Sequence, residues 1–144
     1  MEKINIRLLG PADLALLTGV REGLFDHPLR PEQAAAFLAD RGHMMVLALA
    51  ADDAVGFASG TVLLHPDKAP AFLVNEVGVR DGWQRKGIGR RVSEGLIAAA
   101  RARGCDGIWL GTEPDNLAAL ALYRSLGGEE RRFVAFGWDG AFDS

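Results

Sequence analysis

The run Gln84-Arg85-Lys86-Gly87-Ile88-Gly89 has the composition of an anion site. Two glycines let the backbone turn and approach a ligand closely, and basic side chains flank them. Apolar spacing that begins at Ile88 predicts a helix whose first-turn N–H groups and dipole would face a negative charge. The run follows an apolar stretch, Phe72 to Val79, that reads as a buried strand. Strand, glycine loop and helix in that order point to a bound phosphate, and spacing narrows which kind. An NTP-binding loop requires Gly-Lys-Ser/Thr after a longer glycine run, whereas Gly89-Arg90-Arg91 stands here. A dinucleotide fingerprint requires a third glycine and a position directly after its strand. Gly87-Ile88-Gly89-Arg90-Arg91-Val92 has neither.

Within the apolar strand Glu76 is the ionisable exception. Burial there would raise its pKa towards the range a general base needs, and Asn75 beside it could position a water. The alternative is a strand-edge carboxylate facing solvent. His27, His43 and His65 share no metal-ligand spacing with one another or with Cys105, so no metal is expected.

The elements that must hold these residues follow from periodicity. Lys3 to Leu9 alternates and predicts a half-buried strand ended by Gly10-Pro11. From Pro11 the spacing of Leu14, Leu17, Val20 and Leu24 predicts a helix that runs until Pro28, and Pro31 opens a second short helix ending near Gly42. Met44 to Ala51 and Val55 to Leu64 predict a hairpin turning at Asp52-Asp53-Ala54. Ala71 to Val79 is the central strand, Ile88 to Arg103 a long helix capped by Gly104, and Gly107 to Thr112 a short buried strand. Asn116 to Leu126 is a helix stopped by Gly127-Gly128, and Arg131 to Trp138 a last strand. This order predicts an α/β domain (α+β, mixed sheet), antiparallel at its start and with a crossover near the glycine loop.

At 144 residues the chain has room for one domain with a real core, so residues 1–144 are read as a single domain. No apolar stretch has the length of a membrane span, no basic and apolar leader opens the chain, and lone Cys105 has no internal disulfide partner. A cytoplasmic location without membrane association is the expectation. A formal net charge of −3 argues against general nucleic-acid binding. The charge is nonetheless uneven. Arg80, Arg85, Lys86, Arg90 and Arg91 gather around the glycine loop, while Glu22, Asp26, Glu32, Asp40, Glu113, Asp115 and Asp139 lie elsewhere. An anionic cofactor and a cationic substrate would suit that division.

The glycine loop fits the pattern Gln/Arg-x-x-Gly-x-Gly/Ala after a strand, and Asn116-Leu117-Ala118-Ala119-Leu120-Ala121-Leu122-Tyr123-Arg124-Ser125-Leu126-Gly127 fits N-x-x-A-x-x-x-Y-x-x-L-G. On these two motifs the chain resembles the GNAT superfamily of acetyl-CoA-dependent N-acetyltransferases. The motifs cover the C-terminal half, and the N-terminal half matches in the order of its elements. The resemblance implies the GNAT acyl-CoA N-acyltransferase fold, a central mixed sheet flanked by about four helices. Its fourth and fifth strands, Ala71 to Val79 and Gly107 to Thr112, would splay so that the pantetheine arm of acetyl-CoA lies between them. It further implies that acetyl-CoA, as cosubstrate, is held by Val77, Gly78 and Val79, by the loop residues Gln84, Arg85, Lys86, Gly87, Ile88, Gly89 and Arg90, and by Asn116 and Tyr123.

A backbone N–H within Val77-Gly78-Val79 would polarise the thioester carbonyl, with Gly78 allowing a bulge or a close backbone approach. Tyr123, the only tyrosine, stands where the resemblance puts a general acid for the departing thiolate, and Glu76 is the base candidate. Asn116 opens a helix and would serve as its cap on physical grounds alone, so capping and pantetheine binding both stand. Trp83 would shield the cofactor or pack, and Trp109 and Trp138 read as core or rim.

A narrower similarity, over Val55 to Ile88 and Phe133 to Asp139, is to the small aminoglycoside 3-N-acetyltransferases. The expected reaction is acetyl transfer by direct attack of a primary amine, with an aminoglycoside as the leading substrate. Two alternatives stay open: another amine, such as a polyamine, amino acid or peptide amine, and a non-catalytic acyl-CoA-binding module. The segments Leu24 to Gly42 and His65 to Pro70, which would shape the acceptor pocket, carry no diagnostic motif. Relatives are often dimers, so a homodimer is an open expectation.

Overall fold

A computed structural model describes residues 3–143. Five strands form one sheet in the order β1 (Ile4–Leu8), β2 (His43–Ala50), β3 (Asp53–Leu63), β4 (Ala71–Val79) and β5 (Ile108–Trp109). The first four pair antiparallel, and β5 joins β4 in parallel after a crossover through α3 (Ile88–Ala102). The remaining helices are α1 (Leu14–Thr18), entered through a short 3-10 turn at Pro11–Asp13, α2 (Pro31–Ala39) and α4 (Leu117–Ser125). This is the mixed sheet with flanking helices that the resemblance implies.

The sheet is covered on both faces, which is why β2 reads as a continuous apolar run rather than an alternation. Val46, Ala48 and Ala50 meet Val92, Leu96 and Ala100 of α3 on one side. Met45, Leu47 and Leu49 meet Leu17, Leu24, Ala34 and Leu38 on the other. Strand β4 splits its allegiance partway along. Phe72 and Val74 face α3, and after a register shift from Gly60↔Val74 to Ser59↔Glu76 the α3-facing positions are Val77 and Val79. Asn75 is the extra residue, a β-bulge that moves Glu76 and Gly78 onto the opposite face of the sheet.

The bulge is seated by close packing. A Cβ added to Gly60 would press into the Phe72 ring and come 2.6 Å from the Leu73 carbonyl oxygen. Gly60→Ala is therefore expected to lower stability by about 1–3 kcal/mol, the usual cost of overpacking, read as a reduced denaturant midpoint with unchanged slope.

Three elements differ from the sequence expectation. The first helix ends at Thr18 instead of continuing to Pro28, because residues 19–30 form an irregular segment in which Gly23 takes φ +103°, a conformation closed to a helix. Strand β5 is shorter than Gly107 to Thr112, and its pairing with β4 is confined to Phe72↔Ile108 and Leu73↔Trp109. Arg131 to Trp138 forms no strand. A strand needs a neighbouring edge for its hydrogen bonds, and β5 offers only two residues of edge. Instead Phe133 sets its ring edge-on to Trp109 at 6.4 Å, while Val134, Phe136 and Trp138 stay exposed. Trp109 and Trp138 are thus surface residues, not core. Among the described residues no helix is long and apolar enough to cross a membrane.

Candidate active site

Beyond Leu73, strand β4 has no fifth-strand partner, and the gap so opened is the central feature of the site. Alternate backbone groups of residues 74–79 face this gap instead of a neighbouring strand. A cleft of about 270 Å³ lies against it, lined by Asn75, Glu76, Val77 and Gly78 of β4, Phe57 of β3, Gly111 and Thr112 after β5, Asn116, Ala119 and Tyr123 around α4, and Leu24 and Asp26 of the 19–30 segment. Glu76, Val77, Gly78, Asn116 and Tyr123 are thereby brought together. The bulge sits at Asn75 and not at Gly78, where the missing side chain makes room for the Phe57 ring, 2.7 Å from an added Cβ.

Glu76 has solvent access through the cleft, but the walls strip part of its hydration. That desolvation, with repulsion from Asp26, raises its pKa above the ordinary carboxylate range, and His27 opposes the rise. Asn75 donates through Nδ2 to Thr61 Oγ1 at 2.8 Å, which orients its amide beside Glu76. Tyr123 is half-buried, and burial pushes its phenol pKa upward, so the proton stays on through neutral pH. Asn116 caps α4, its Oδ1 accepting from the Ala119 N–H at 3.1 Å. Asn116 also lines the cleft and the cap uses only its Oδ1, so capping does not spend the side-chain NH₂. Gly127 and Gly128 end α4 just past Tyr123: the Gly128 N–H donates to the Tyr123 carbonyl and the Gly127 N–H to that of Arg124, each at 3.0 Å.

Just past the C-terminal end of β4 the glycine loop leads into α3. Gly87 occupies the N-cap position with φ +79° and gives no side-chain cap, and no acidic residue stands in the first turn. The N–H groups of Ile88, Gly89 and Arg90 are consequently left for an external anion. Arg85 also has positive φ, at 63°, a strained setting for a non-glycine residue that turns the loop backbone inward. Gln84, Arg85 and Lys86 are exposed, and Lys86 Nζ lies 5.8 Å from the centroid of the Trp83 ring, which itself packs on the core. These features suit an anionic group such as a diphosphate.

Not all of the basic cluster faces the loop. Arg90 is turned to α4, donating to Ser125 Oγ at 3.0 Å, and Arg91 donates to the Ile4 carbonyl. Arg80 is buried and points away from the anion site. The two glycines differ in need: Gly87 requires its left-handed conformation, whereas a Cβ on Gly89 would make only ordinary contacts at 3.5 and 3.6 Å. Gly87→Ala is expected to weaken acetyl-CoA binding about 5- to 30-fold, the equivalent of 1–2 kcal/mol of left-handed strain. Gly89→Ala should change it little, and calorimetric titration of both variants checks the contrast.

Of the segment Leu24 to Gly42 expected to shape the acceptor pocket, Leu24 and Asp26 line the cleft, though neither was singled out in the sequence. The parity of apolar residues in β4, which steps from Phe72 and Val74 to Val77 and Val79, was a readable sign of the bulge. Residues 65–70 do not line the cleft.

The sequence profile of the acetyltransferase (GNAT) family matches residues 14–127. An aminoglycoside N(6′)-acetyltransferase type 1 of Stenotrophomonas maltophilia is 33% identical over 142 residues, covering 92% of this chain and 90% of that one. A ribosomal protein bS18-alanine N-acetyltransferase of Salmonella typhimurium is 37% identical over 102 residues, 69% of this chain and 66% of that one. The chain spans only 35% of an uncharacterised Mycobacterium leprae protein to which it is 37% identical over 133 residues, 89% of its own length. Among solved structures, an aminoglycoside acetyltransferase from an uncultured soil metagenomic sample, in complex with trehalose, superposes with a TM-score of 0.82 at 21% identity, covering 94% of this chain and 95% of that one. Because the matched span contains every wall of the cleft and the whole glycine loop, the chain belongs to the acetyltransferase (GNAT) family.

Proposed function

We propose that this protein transfers an acetyl group from acetyl-CoA to a primary amine of a cationic acceptor, by direct attack in the cleft between β4 and α4. The observation that carries this reading is the placement of Glu76 and Tyr123 on walls of one cleft, beside the unpaired stretch of β4. Acetyl-CoA, the acyl donor of the family, supplies the thioester. Glu76 accepts the proton of the attacking amine, directly or through a water held by Asn75. A backbone N–H of Val77, Gly78 or Val79 donates to the carbonyl oxygen as negative charge develops on it. Tyr123 gives its proton to the sulfur as the C–S bond breaks. Val77, Gly78, Val79 and Asn116 would hold the pantetheine arm. Gln84, Arg85, Lys86 and the backbone of Gly87, Ile88, Gly89 and Arg90 would hold the diphosphate.

Asp26 and Glu76 give the acceptor side a negative character, which favours a polycation. An aminoglycoside is the leading acceptor, supported by likeness to the Stenotrophomonas enzyme along nearly the full length of both chains. That relative is named for the 6′ amine, and nothing among these relatives supports the 3-N position expected from the sequence, so the 6′ amine is the preferred regiochemistry. A peptide N-terminal amine is the second reading, favoured by likeness to the ribosomal-protein alanine N-acetyltransferase.

Thiol release from acetyl-CoA across aminoglycosides, polyamines and alanyl peptides tests the proposal, with product NMR to locate the acetyl group. Turnover fastest on an aminoglycoside supports the leading acceptor, and turnover confined to alanyl peptides replaces it. Acetyl-CoA binding without turnover on any amine favours a binding module.

A further inference from the structure

We propose that Arg80 is a positioning residue whose buried guanidinium fixes the 19–30 segment against β3 and β4, so that Asp26 is held in the acceptor cleft with Glu76. The kinetic part of this inference rests on the acetyl-transfer reading; the geometric part does not.

Arg80 follows β4 directly and is only 5% exposed. Its side chain spends its donors on three backbone carbonyls: Nε on Ala54 at 3.1 Å, Nη1 on Glu22 at 2.6 Å and Nη2 on Arg21 at 3.0 Å. One of these belongs to β3 and two to the irregular segment, so a single planar group ties the segment to the sheet. Its main chain makes a second junction, with its N–H donating to Val55 at 2.8 Å and its carbonyl accepting from Trp83 at 3.0 Å, where the chain turns into the glycine loop. None of the three side-chain bonds reaches towards the anion site.

The segment is shaped around this group. Gly23, between Glu22 and Leu24, has φ +103°, and a Cβ there would come 3.1 Å from Arg80 Nη1. Arg21 adds a bidentate pair to Asp53 at 2.8 and 2.7 Å, on the same strand as Ala54. Leu24 then enters the core, with its carbonyl oxygen 3.6 Å from where a Gly78 Cβ would stand, and Phe25 stacks on Phe57 at 4.6 Å between centroids. Asp26 comes next, in the cleft wall. The apolar contacts at Leu24 and Phe25 are non-directional, whereas three hydrogen bonds in a rigid fork fix direction. A lysine would keep the charge and lose the fork.

The charged and titratable groups around Glu76 are Asp26 and His27 of the segment, with Tyr123 of α4 on the facing wall. Loosening the segment would rehydrate the carboxylate and withdraw Asp26, both of which lower the titration midpoint of Glu76; the withdrawal of His27 opposes them but is the smallest of the three influences.

The test is Arg80→Lys, with the Glu76 carboxyl titration followed by ¹³C NMR in the free protein alongside acceptor kinetics. The expected result is a downward shift of the Glu76 midpoint and a fall of about 10- to 100-fold in kcat/KM for the amine, with the acetyl-CoA dissociation constant unchanged. In an Asp26→Asn background the same substitution should shift the midpoint less, since the two then act through one pathway. A folded Arg80→Lys protein with a wild-type Glu76 midpoint overturns the proposal, as does a change confined to acetyl-CoA affinity. If that variant does not fold, Gly23→Ala probes the same joint: a lowered midpoint supports the proposal and an unchanged one overturns it. A shifted midpoint in a protein that acetylates no amine would leave the positioning role standing and remove the acetyl-transfer reading.

Discussion

Glu76→Gln is expected to lower kcat/KM for the amine about 100- to 10,000-fold at neutral pH, the range a positioned general base contributes. Gln keeps the shape and hydrogen bonding of the side chain but cannot take a proton. Acetyl-CoA affinity should be unchanged, because the loop and first turn of α3 proposed for the diphosphate follow β4 and do not line the cleft that holds Glu76. The wild-type pH profile carries a further signature. A base works deprotonated, so the rate should rise with pH through the Glu76 pKa, and burial with Asp26 places that rise above the ordinary carboxylate range. The variant should lose this acid limb.

Stability gives an independent sign. The folded-state pKa of Glu76 is raised, so its contribution is fully present below the ordinary carboxylate pKa and is lost as pH rises through the raised value. Glu76→Gln removes that dependence, and so should not destabilise the fold at neutral pH. Unchanged turnover across the pH range would exclude Glu76 as the base.

Tyr123→Phe is expected to lower kcat by a comparable factor, about 100-fold or more, with little change in acceptor KM. The substitution removes one oxygen from a half-buried ring, so the cleft wall at α4 stays in place. The loss should fall on expulsion of the thiolate, a charge that develops only in the transition state. Because burial raises the phenol pKa, wild-type activity should persist to higher pH than an ordinary tyrosine would permit, and the variant should lack that basic limb. Acetyl donors whose thioester carries a more acidic thiol should be less affected, since a better leaving group needs less proton transfer. Equal kcat in wild type and Tyr123→Phe would reduce Tyr123 to a wall residue.

Much of this site was legible before any coordinates. The glycine loop was legible as a candidate anion site because the requirements for one are local: two glycines, a strand before them and a helix after them lie within a short stretch of chain. Asn116, Tyr123 and Gly127 were legible for the same reason, being ordered by helical spacing and a terminal glycine. The extent of the first helix was not legible, because Leu14, Leu17, Val20 and Leu24 keep helical spacing even where Gly23 forbids the conformation. Arg131 to Trp138 likewise kept a strand-like pattern with no edge to pair with.

The sequence by itself determined the order of elements as far as α4, the glycine turn into α3 and the identity of the two candidate proton-transfer groups, since each depends on neighbours along the chain. Tertiary structure decided that Glu76 faces the cleft: the apolar parity of β4 signalled a bulge, but the face it turns Glu76 to is fixed only by the pairing with β3 and by what packs opposite. It also decided that Asp26 shares that cleft and that Arg80 is buried against the backbone of Arg21, Glu22 and Ala54 and not turned to the glycine loop. Those relations join residues far apart in sequence, and a carboxylate or guanidinium takes its role from whatever the fold places around it.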